Sequence, residues 1–363
     1  MKHLILVGAG HTHLHILKKM VFAPLANTKV TLITPTPANS EGCVIERFLH
    51  PNEQQKPLRN EWINLVRRAK AHWVDDVVIR IDTNQKMIFT KKGLQLPYDA
   101  LSMNIGAKAA YPDVPGLKEH TFQIKQNTLA TFQINALLKA HTCAVVGTGA
   151  FAFDFALSLR DRRQREGIDG PVYLVASGGM MPEVFDAAKR SKLEKWLMKR
   201  GVVPVTTSAV KQVSAYANEE KTIYFEDGKS IDVAAVAWVA ERAAHPILTE
   251  SRLKVDAHGF IMAGPTLQMV DCDSIFATGA CKTFIGAPSM DRTGLFVRQE
   301  ANVLWSNLQQ YLNPSFMKSK MKVFVPHRNR FAILNAGFRQ TVLLYQDWLF
   351  AGGWCWWFKE QFS

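Results

Sequence analysis

Two glycines near the start of the chain are the residues whose spacing first suggests chemistry. Gly8 and Gly10 stand in Leu6-Val7-Gly8-Ala9-Gly10-His11. Glycine at both positions permits a tight turn and lets backbone N–H groups approach a bulky anion such as a pyrophosphate. The arrangement recurs at Gly147 and Gly149, in Val145-Val146-Gly147-Thr148-Gly149-Ala150. One such motif is weak evidence. Two in one chain point to a protein that holds two dinucleotides, one a tightly held redox cofactor and the other a soluble reductant.

The elements around each glycine pair must aim it. Leu4 to Val7 reads as a buried parallel strand, Leu14, Leu17 and Val21 fall at helical spacing, and Val30 to Thr34 follows as a second strand. The turn therefore opens into a helix whose free N–H groups attract anions. Two positions depart from the usual fingerprint: His13 takes the place of the third glycine, and Thr34 replaces the acid that would hold a ribose. In the second unit, Ala144 to Val146, a helix through Leu157 and Leu159, and Val172 to Ala176 repeat the order, with Ala152 at the third position. Ser177 ends that strand without an acid, and Lys189 and Arg190 nearby leave NADPH open beside NADH. Between the units, Asn60 to Ala71 reads as an amphipathic helix, and Trp73 to Ile81 alternates around Val74, Val77 and Ile79. Met87 to Thr90 and Leu94 to Leu96 form a meander turning at Lys92-Gly93, and Tyr98 to Gly106 is a return strand. Ser274 to Cys281 closes on Thr278-Gly279 and fits a segment returning to the first domain.

A chain of 363 residues, 47% of them apolar, exceeds one hydrophobic core and implies two or three domains. No apolar run reaches the roughly 18 residues of a membrane span, and the first strand follows Met1 at once, so a leader is not expected. The five cysteines, Cys43, Cys143, Cys272, Cys281 and Cys355, form no C-x-x-C pair, which predicts free thiols in a reducing cytoplasm. A net charge of +13 implies an anionic partner, a nucleotide or a membrane surface; no nucleic-acid motif accompanies it. His11 and His15 share a helical face, but no cysteine or carboxylate cluster joins them, so no metal is expected.

Taken together, these pieces resemble the pyridine nucleotide–disulfide oxidoreductases, and within them the type II NADH dehydrogenases and the selenophosphate-synthetase-associated flavoproteins. The match is carried by Leu6 to His15, Leu96 to Ser102 with Asn104-Ile105-Gly106, Asp113-Val114-Pro115-Gly116, Gly294 to Gln299, Pro326 to Leu334 and the Trp-rich end. The resemblance implies an α/β fold with two Rossmann-like domains of the three-layer ββα type and a basic, aromatic C-terminal segment. It implies FAD on the first unit, with Gly8, Gly10, His11 and Thr12 on the pyrophosphate and His13 in the same loop. Thr34 would lie near the adenosine ribose, Val77 would meet the adenine through its backbone, and Asn104, Gly106, Gly279 and Ala280 would line the cleft. Phe296 would pack near the isoalloxazine. NAD(P)H would lie over Gly147, Gly149, Ala150 and Phe151, with Ser177 at the strand end. Asp154 takes the place of a family glutamate near the nicotinamide, and Lys125 is the candidate to hold negative charge on the reduced flavin. Ala280 stands where the family carries an aspartate on the ribityl chain, a lost charged hydrogen bond of ~1.5–3 kcal/mol.

The resulting organisation places FAD on residues 1–118 and 265–315, NAD(P)H on 119–264, and a docking segment at 316–363. The expected activity is hydride transfer from NAD(P)H through FAD to a quinone-like acceptor, with sulfide:quinone-type oxidation and nucleotide binding without efficient turnover as alternatives. Cys281 is the cysteine that sits beside the predicted ribityl chain; a small buried side chain is its ordinary reading. Lys318, Lys320, Lys322, Arg328 and Arg330 precede Trp348, Phe350, Trp354, Trp356 and Trp357. Rings beside cations suit the inner face of the cytoplasmic membrane, or else packing on the chain itself or on a second copy in a homodimer.

Overall fold

The computed structural model describes residues 1–35, 58–124, 131–177, 187–216, 220–286, 297–313, 320–325, 331–337, 340–345 and 348–355. The chain forms two compact units. One comprises Met1–Ser40, Lys56–Lys108 and Arg242–His327, the other Glu41–Gln55, Ala109–Glu241 and Arg328–Ser363.

In the first unit, Lys2–Val7 is a central strand, paired in parallel with Thr28–Ile33 on one side and Ala100–Met103 on the other. Cys272–Ala277 continues the parallel run beyond Ala100–Met103. Alternation along the central strand feeds two cores. Leu4 and Leu6 join Ile16, Leu17 and Met20 of the helix His11–Phe22 and Leu304 and Leu308 of the helix Val297–Leu312. Ile5 and Val7 pack with Val78, Ile81 and Ile88 on the opposite face. Each fully buried aliphatic side chain contributes ~1.5–3 kcal/mol, so both faces of this strand hold the unit together. The meander is Val78–Asp82, Met87–Thr90 and Gln95–Pro97, and its pairing shifts between Val78 and Arg80. That irregularity moves the expected phase: Val78 and Ile81 are buried, while Val77 and Ile79 are exposed.

The second unit repeats the plan. Cys143–Val146 pairs in parallel with Val172–Ser177 and Ala235–Val239, and Val202–Thr207 and Phe122–Ile124 complete a five-stranded sheet. Cys143 and Val145 face Ala152, Ala156 and Leu159 of the helix Ala150–Arg165. Ala144 and Val146 face Val213, Ile223 and Val233 of the antiparallel sheet Val210–Ala215, Lys221–Phe225 and Ser230–Val233. Asp113 to Gly116 belongs here: Pro115 O accepts the Val213 N–H at 2.9 Å, and a side chain at residue 116 would strike Val213 O. Arg163 is fully buried and donates to the carbonyls of Leu137 (2.9 Å), Leu138 (3.2 Å) and His141 (3.1 Å). It thereby satisfies the last carbonyls of the helix Thr131–Lys139.

The end of the C-terminal segment, from Arg328, also belongs to this unit, whereas Phe324 packs in the core of the first. Phe331–Asn335, Thr341–Tyr345 and Trp348–Gly352 form an antiparallel sheet. Ala336 and Val342 enter the core beside the helix Ala150–Arg165, and Gly337 lies against Asp161 where a Cβ would be 2.6 Å from its Cγ. The second face of this sheet carries an aromatic cluster: Trp348 and Phe350 stack at 6.1 Å, and Trp354 meets Phe350 edge-on at 5.8 Å. Trp348 and Trp354 are 65% and 57% exposed. Among the described residues no helix is long and apolar enough to cross a membrane.

Candidate dinucleotide-binding site

The first glycine loop is shaped by one residue from a neighbouring strand, Asn104. Gly8 has φ +87°, and its N–H donates to Ile33 O at 2.9 Å. A Cβ on Gly8 would stand 2.6 Å from Asn104 O, and one on Gly10 would stand 1.9 Å from Asn104 Oδ1. The Asn104 N–H donates to Val7 O (2.9 Å), and Asn104 O accepts the Gly10 N–H (3.3 Å). Gly10 then caps the helix His11–Phe22 with extended backbone, no side-chain cap and no acid in the first turn. Its first-turn N–H groups therefore face an anion without competition.

Both ring nitrogens of His13 are engaged within the protein. The residue is fully buried, Nδ1 lies 2.7 Å from Gly8 O and Nε2 lies 2.8 Å from Ser102 Oγ. A carbonyl can only accept, so Nδ1 carries the proton and Nε2 accepts from the serine hydroxyl. Burial pushes the imidazole down to about 4, against a smaller upward pull from the Gly8 carbonyl. At the third motif position, in place of the packing glycine, His13 ties the loop to the strand Ala100–Met103.

Across from this loop, the late strand ends in the turn Gly279–Cys281. Asn104 Nδ2 donates to Thr278 O at 2.9 Å, and the Thr278 N–H donates to Met103 O at 3.0 Å. Three buried polar atoms converge on this region without a hydrogen-bond partner: Thr12 Oγ1, Asn104 Oδ1 and Thr278 Oγ1. Such atoms are rare in folded proteins and mark places where a ligand completes the bonding. With the glycine loop and the uncapped helix, the two threonine hydroxyls, which can donate, fit a dinucleotide diphosphate; the Asn104 amide oxygen only accepts and fits a ligand hydroxyl. Asn104 thus brings together Gly8, Gly10 and Gly279; Thr12 follows in the helix and Ala280 in the late turn.

Other expected positions fare differently. Thr34 is buried just past the strand Thr28–Ile33, and its carbonyl accepts the Trp73 indole N–H at 3.1 Å. Val77 has its N–H on Asp76 Oδ1 (2.7 Å) and its carbonyl on the Lys91 N–H (2.8 Å). Its N–H is thereby committed to its own turn, while its carbonyl keeps a second lone pair. His11 opens the helix and is exposed. Gly106 has φ +71° and open space at its Cβ position. Phe296 and Lys125 lie outside the described residues. Cys281 is fully buried, donates to Thr278 O (3.2 Å), and burial pushes its thiol up to about 11. Such a thiol is inert at neutral pH.

The second loop shares the backbone logic of the first. Gly147 N–H donates to Val175 O at 2.9 Å, the counterpart of Gly8 to Ile33, and Gly149 caps the helix Ala150–Arg165 without a side-chain cap. Among the described residues, leaving aside its chain neighbours, nothing lies within 4 Å of a Cβ built on Gly149. Ala150 is the first helical residue, and the Phe151 and Phe155 rings meet at 6.2 Å. Asp154 sits half-buried a turn deeper, leaving the first turn free of acid. Ser177 ends its strand. Among the described residues no group of His, Cys, Asp and Glu has the arrangement of a metal site.

Sequence reasoning missed Ser102, Thr278, Lys282 and Glu300. Lys282 and Glu300 form a buried ion pair at 2.8 Å, and Glu300 Oε2 accepts the Gly279 N–H at 2.8 Å. A signal existed: Glu300 shares its helix stripe with Val303, Leu304, Asn307 and Leu308, so a carboxylate occupies a core-facing position.

Residues 2–301 match the pyridine nucleotide-disulphide oxidoreductase family, and the chain belongs to it. It is 24% identical over 302 residues to the NADH dehydrogenase-like protein YutJ of Bacillus subtilis, covering 80% of this chain and 79% of that one. It is 24% identical over 343 residues to the type II NADH:quinone oxidoreductase of Staphylococcus epidermidis, covering 86% and 83%. In fold it resembles the sulfide:quinone oxidoreductase of Aquifex aeolicus, with TM-score 0.77, 16% identity and coverage of 100% and 90%. It also resembles the water-forming NADH oxidase of Lactobacillus brevis bound to NADH, with TM-score 0.70, 18% identity and coverage of 95% and 75%.

Proposed function

We propose that the chain binds FAD on the Gly8–Gly10 loop, receives NAD(P)H on the Gly147–Gly149 loop, and delivers electrons to a quinone-like acceptor. The observation that carries this reading is the duplicated loop: in each unit a strand ends on a glycine whose N–H bonds the adjacent strand, and a second glycine opens an uncapped helix. The names of the relatives, NADH dehydrogenase-like and NADH:quinone oxidoreductase, support both the reductant and the acceptor class. Bound FAD supplies the two-electron chemistry that accepts hydride and passes electrons on. The chain's own residues supply binding and orientation. Helix N–H groups at His11 and Thr12 neutralise diphosphate charge, the Thr12 and Thr278 hydroxyls can donate to it, Asn104 Oδ1 can accept from a ligand hydroxyl, and Thr34 offers a single oxygen near the ribose end. Lys125 is assigned to hold charge on the reduced flavin, and Asp154 to the nicotinamide side.

The buried, protonated Cys281 argues against a sulfide oxidation that uses this thiol. The test of the main reading is the visible spectrum of purified protein, followed by anaerobic NADH and then a short-chain quinone. Flavin absorbance that bleaches with NADH and returns with quinone is expected; colourless protein, or colour unaffected by NADH, sinks the reading.

The exposed Trp348 and Trp354, which flank Phe350, together with the net charge of +13, support docking at an anionic membrane surface. Co-sedimentation with phosphatidylglycerol vesicles that W348A/W354A abolishes is the expected result. Equal sedimentation of parent and variant removes membrane docking through this cluster.

A further inference from the structure

Under the turn Gly279–Cys281 lies an ion pair that cofactor binding, as described so far, does not use. Lys282 Nζ and Glu300 Oε1 are 2.8 Å apart with both side chains buried. Two charges withdrawn from water contribute little net stability, and apolar side chains of similar volume commonly serve as well or better. A buried pair kept at this position therefore asks for another role. Glu300 has one within reach. Its second oxygen, Oε2, accepts the Gly279 N–H at 2.8 Å, a charged acceptor stronger than a neutral one.

From Gly279 the contacts run on without a gap. Gly279 has φ +68°, and its Cα approaches so closely that a Cβ would lie 2.6 Å from Asn104 Nδ2. That Nδ2 donates to Thr278 O, and the Asn104 carbonyl accepts the Gly10 N–H. One carboxylate on the helix Val297–Leu312 thus bears on the loop proposed to hold the diphosphate, through Gly279 and Asn104. Thr278 Oγ1 and Asn104 Oδ1, two of the unpartnered buried oxygens, sit on this same path.

We propose that Glu300 is a positioning residue of the cofactor site: it orients the Gly279 turn, and through Asn104 the Gly8–Gly10 loop, for FAD, while Lys282 balances its charge. The proposal rests on the FAD reading above. Its test uses the full chain stripped of cofactor and two double variants that leave no charge unpaired, K282M/E300L and K282M/E300Q. Leucine removes the acceptor for the Gly279 N–H, and glutamine restores it through its carbonyl oxygen. FAD affinity is read by quenching of flavin fluorescence, and the fold of each apoprotein by thermal melting. Both apoproteins should melt with the parent. K282M/E300L should bind FAD at least about tenfold more weakly, the loss of one charge-assisted hydrogen bond, and K282M/E300Q should recover to within about threefold of the parent. Equal FAD affinity in the two double variants overturns the proposal. A K282M/E300L apoprotein that does not fold overturns it too, because the pair then serves the unit and not the turn. A parent chain that binds no FAD sinks the underlying reading, and the proposal with it, and is told apart by the parent's own titration.

Discussion

Replacing His13 by asparagine separates its two hydrogen bonds and exposes its proton to measurement. Asparagine places an amide N–H near the position of Nδ1 and keeps the bond to Gly8 O, but it cannot reach Ser102 Oγ, 2.8 Å from Nε2. At neutral pH the variant should lose ~1–3 kcal/mol, one buried hydrogen bond plus a small cavity. The pH dependence should change in the opposite sense. The unfolded chain protonates His13 near 6.5, whereas burial holds the folded imidazole at about 4. Between those values the unfolded state binds the extra proton, so the parent's stability is fully present above 6.5 and falls as pH drops towards 4. The span corresponds to ~3 kcal/mol at 1.36 kcal/mol per unit. Asparagine does not titrate, so H13N lacks this loss. The deficit of H13N at pH 7.5 should shrink by ~2.5 kcal/mol at pH 4.5, which brings the variant level with the parent or above it. Urea unfolding of parent and variant at both pH values, followed by tryptophan fluorescence, gives the difference directly, because every other titrating group cancels in it. Parallel stability–pH curves would refute the assignment of a buried neutral His13.

The two glycine loops should respond differently to a methyl group. G10A forces a Cβ to 1.9 Å from Asn104 Oδ1, so the anchored Asn104 must move and FAD affinity should fall at least ~10-fold in a fluorescence titration. G149A meets none of the described residues and should raise KM for NADH while shifting the melting temperature by less than about 2 °C, a change of under ~1 kcal/mol. R163M leaves the carbonyls of Leu137, Leu138 and His141 without their donor, which should cost ~3 kcal/mol by urea unfolding yet leave FAD affinity within about twofold. C281S should keep NADH turnover at the parent level, and Cys281 in the parent should resist alkylation at pH 8, since its thiol is buried and pushed up to about 11.

What could be read from the sequence divides along a physical line. The strand–glycine–helix units were legible because a run such as Leu4 to Val7 and the helix behind it are local patterns, and a tight turn demands glycine nearby in the chain. The parallel pairing of Lys2–Val7 with Thr28–Ile33 follows from those patterns directly. The meander phase was not legible, since one bulge between Val78 and Arg80 exchanges which side chains face the core. The role of His13 was hidden for a related reason: its partner Ser102 is 89 residues away, and only strand register brings the two rows together. Glu300 is further still from the loop it serves, and it reaches that loop through backbone N–H and carbonyl groups that carry no residue signature.

That contrast bears on what the site can tolerate. A dinucleotide loop built on backbone N–H groups needs few particular side chains, which is why Thr34 and Ser177 can stand where an acid is usual and the loop geometry still forms. It needs the backbone held still. In the first unit that task falls to Asn104, His13 and the Lys282–Glu300 pair, each fixing one glycine or carbonyl of the two turns. In the second unit, Gly147 is packed against Ala152 and Val239, while among the described residues nothing approaches the Cβ position of Gly149. A tightly retained cofactor requires a rigid, preorganised cradle, whereas a reductant that must leave every cycle does not. The proposed assignment, with the resident cofactor on Gly8–Gly10 and the exchanging nucleotide on Gly147–Gly149, agrees with that difference at the second glycine of each loop. H13N and G10A should accordingly weaken FAD retention, and G149A should change NADH KM alone. A variant set in which H13N left FAD affinity unchanged while G149A released the flavin would reverse the assignment.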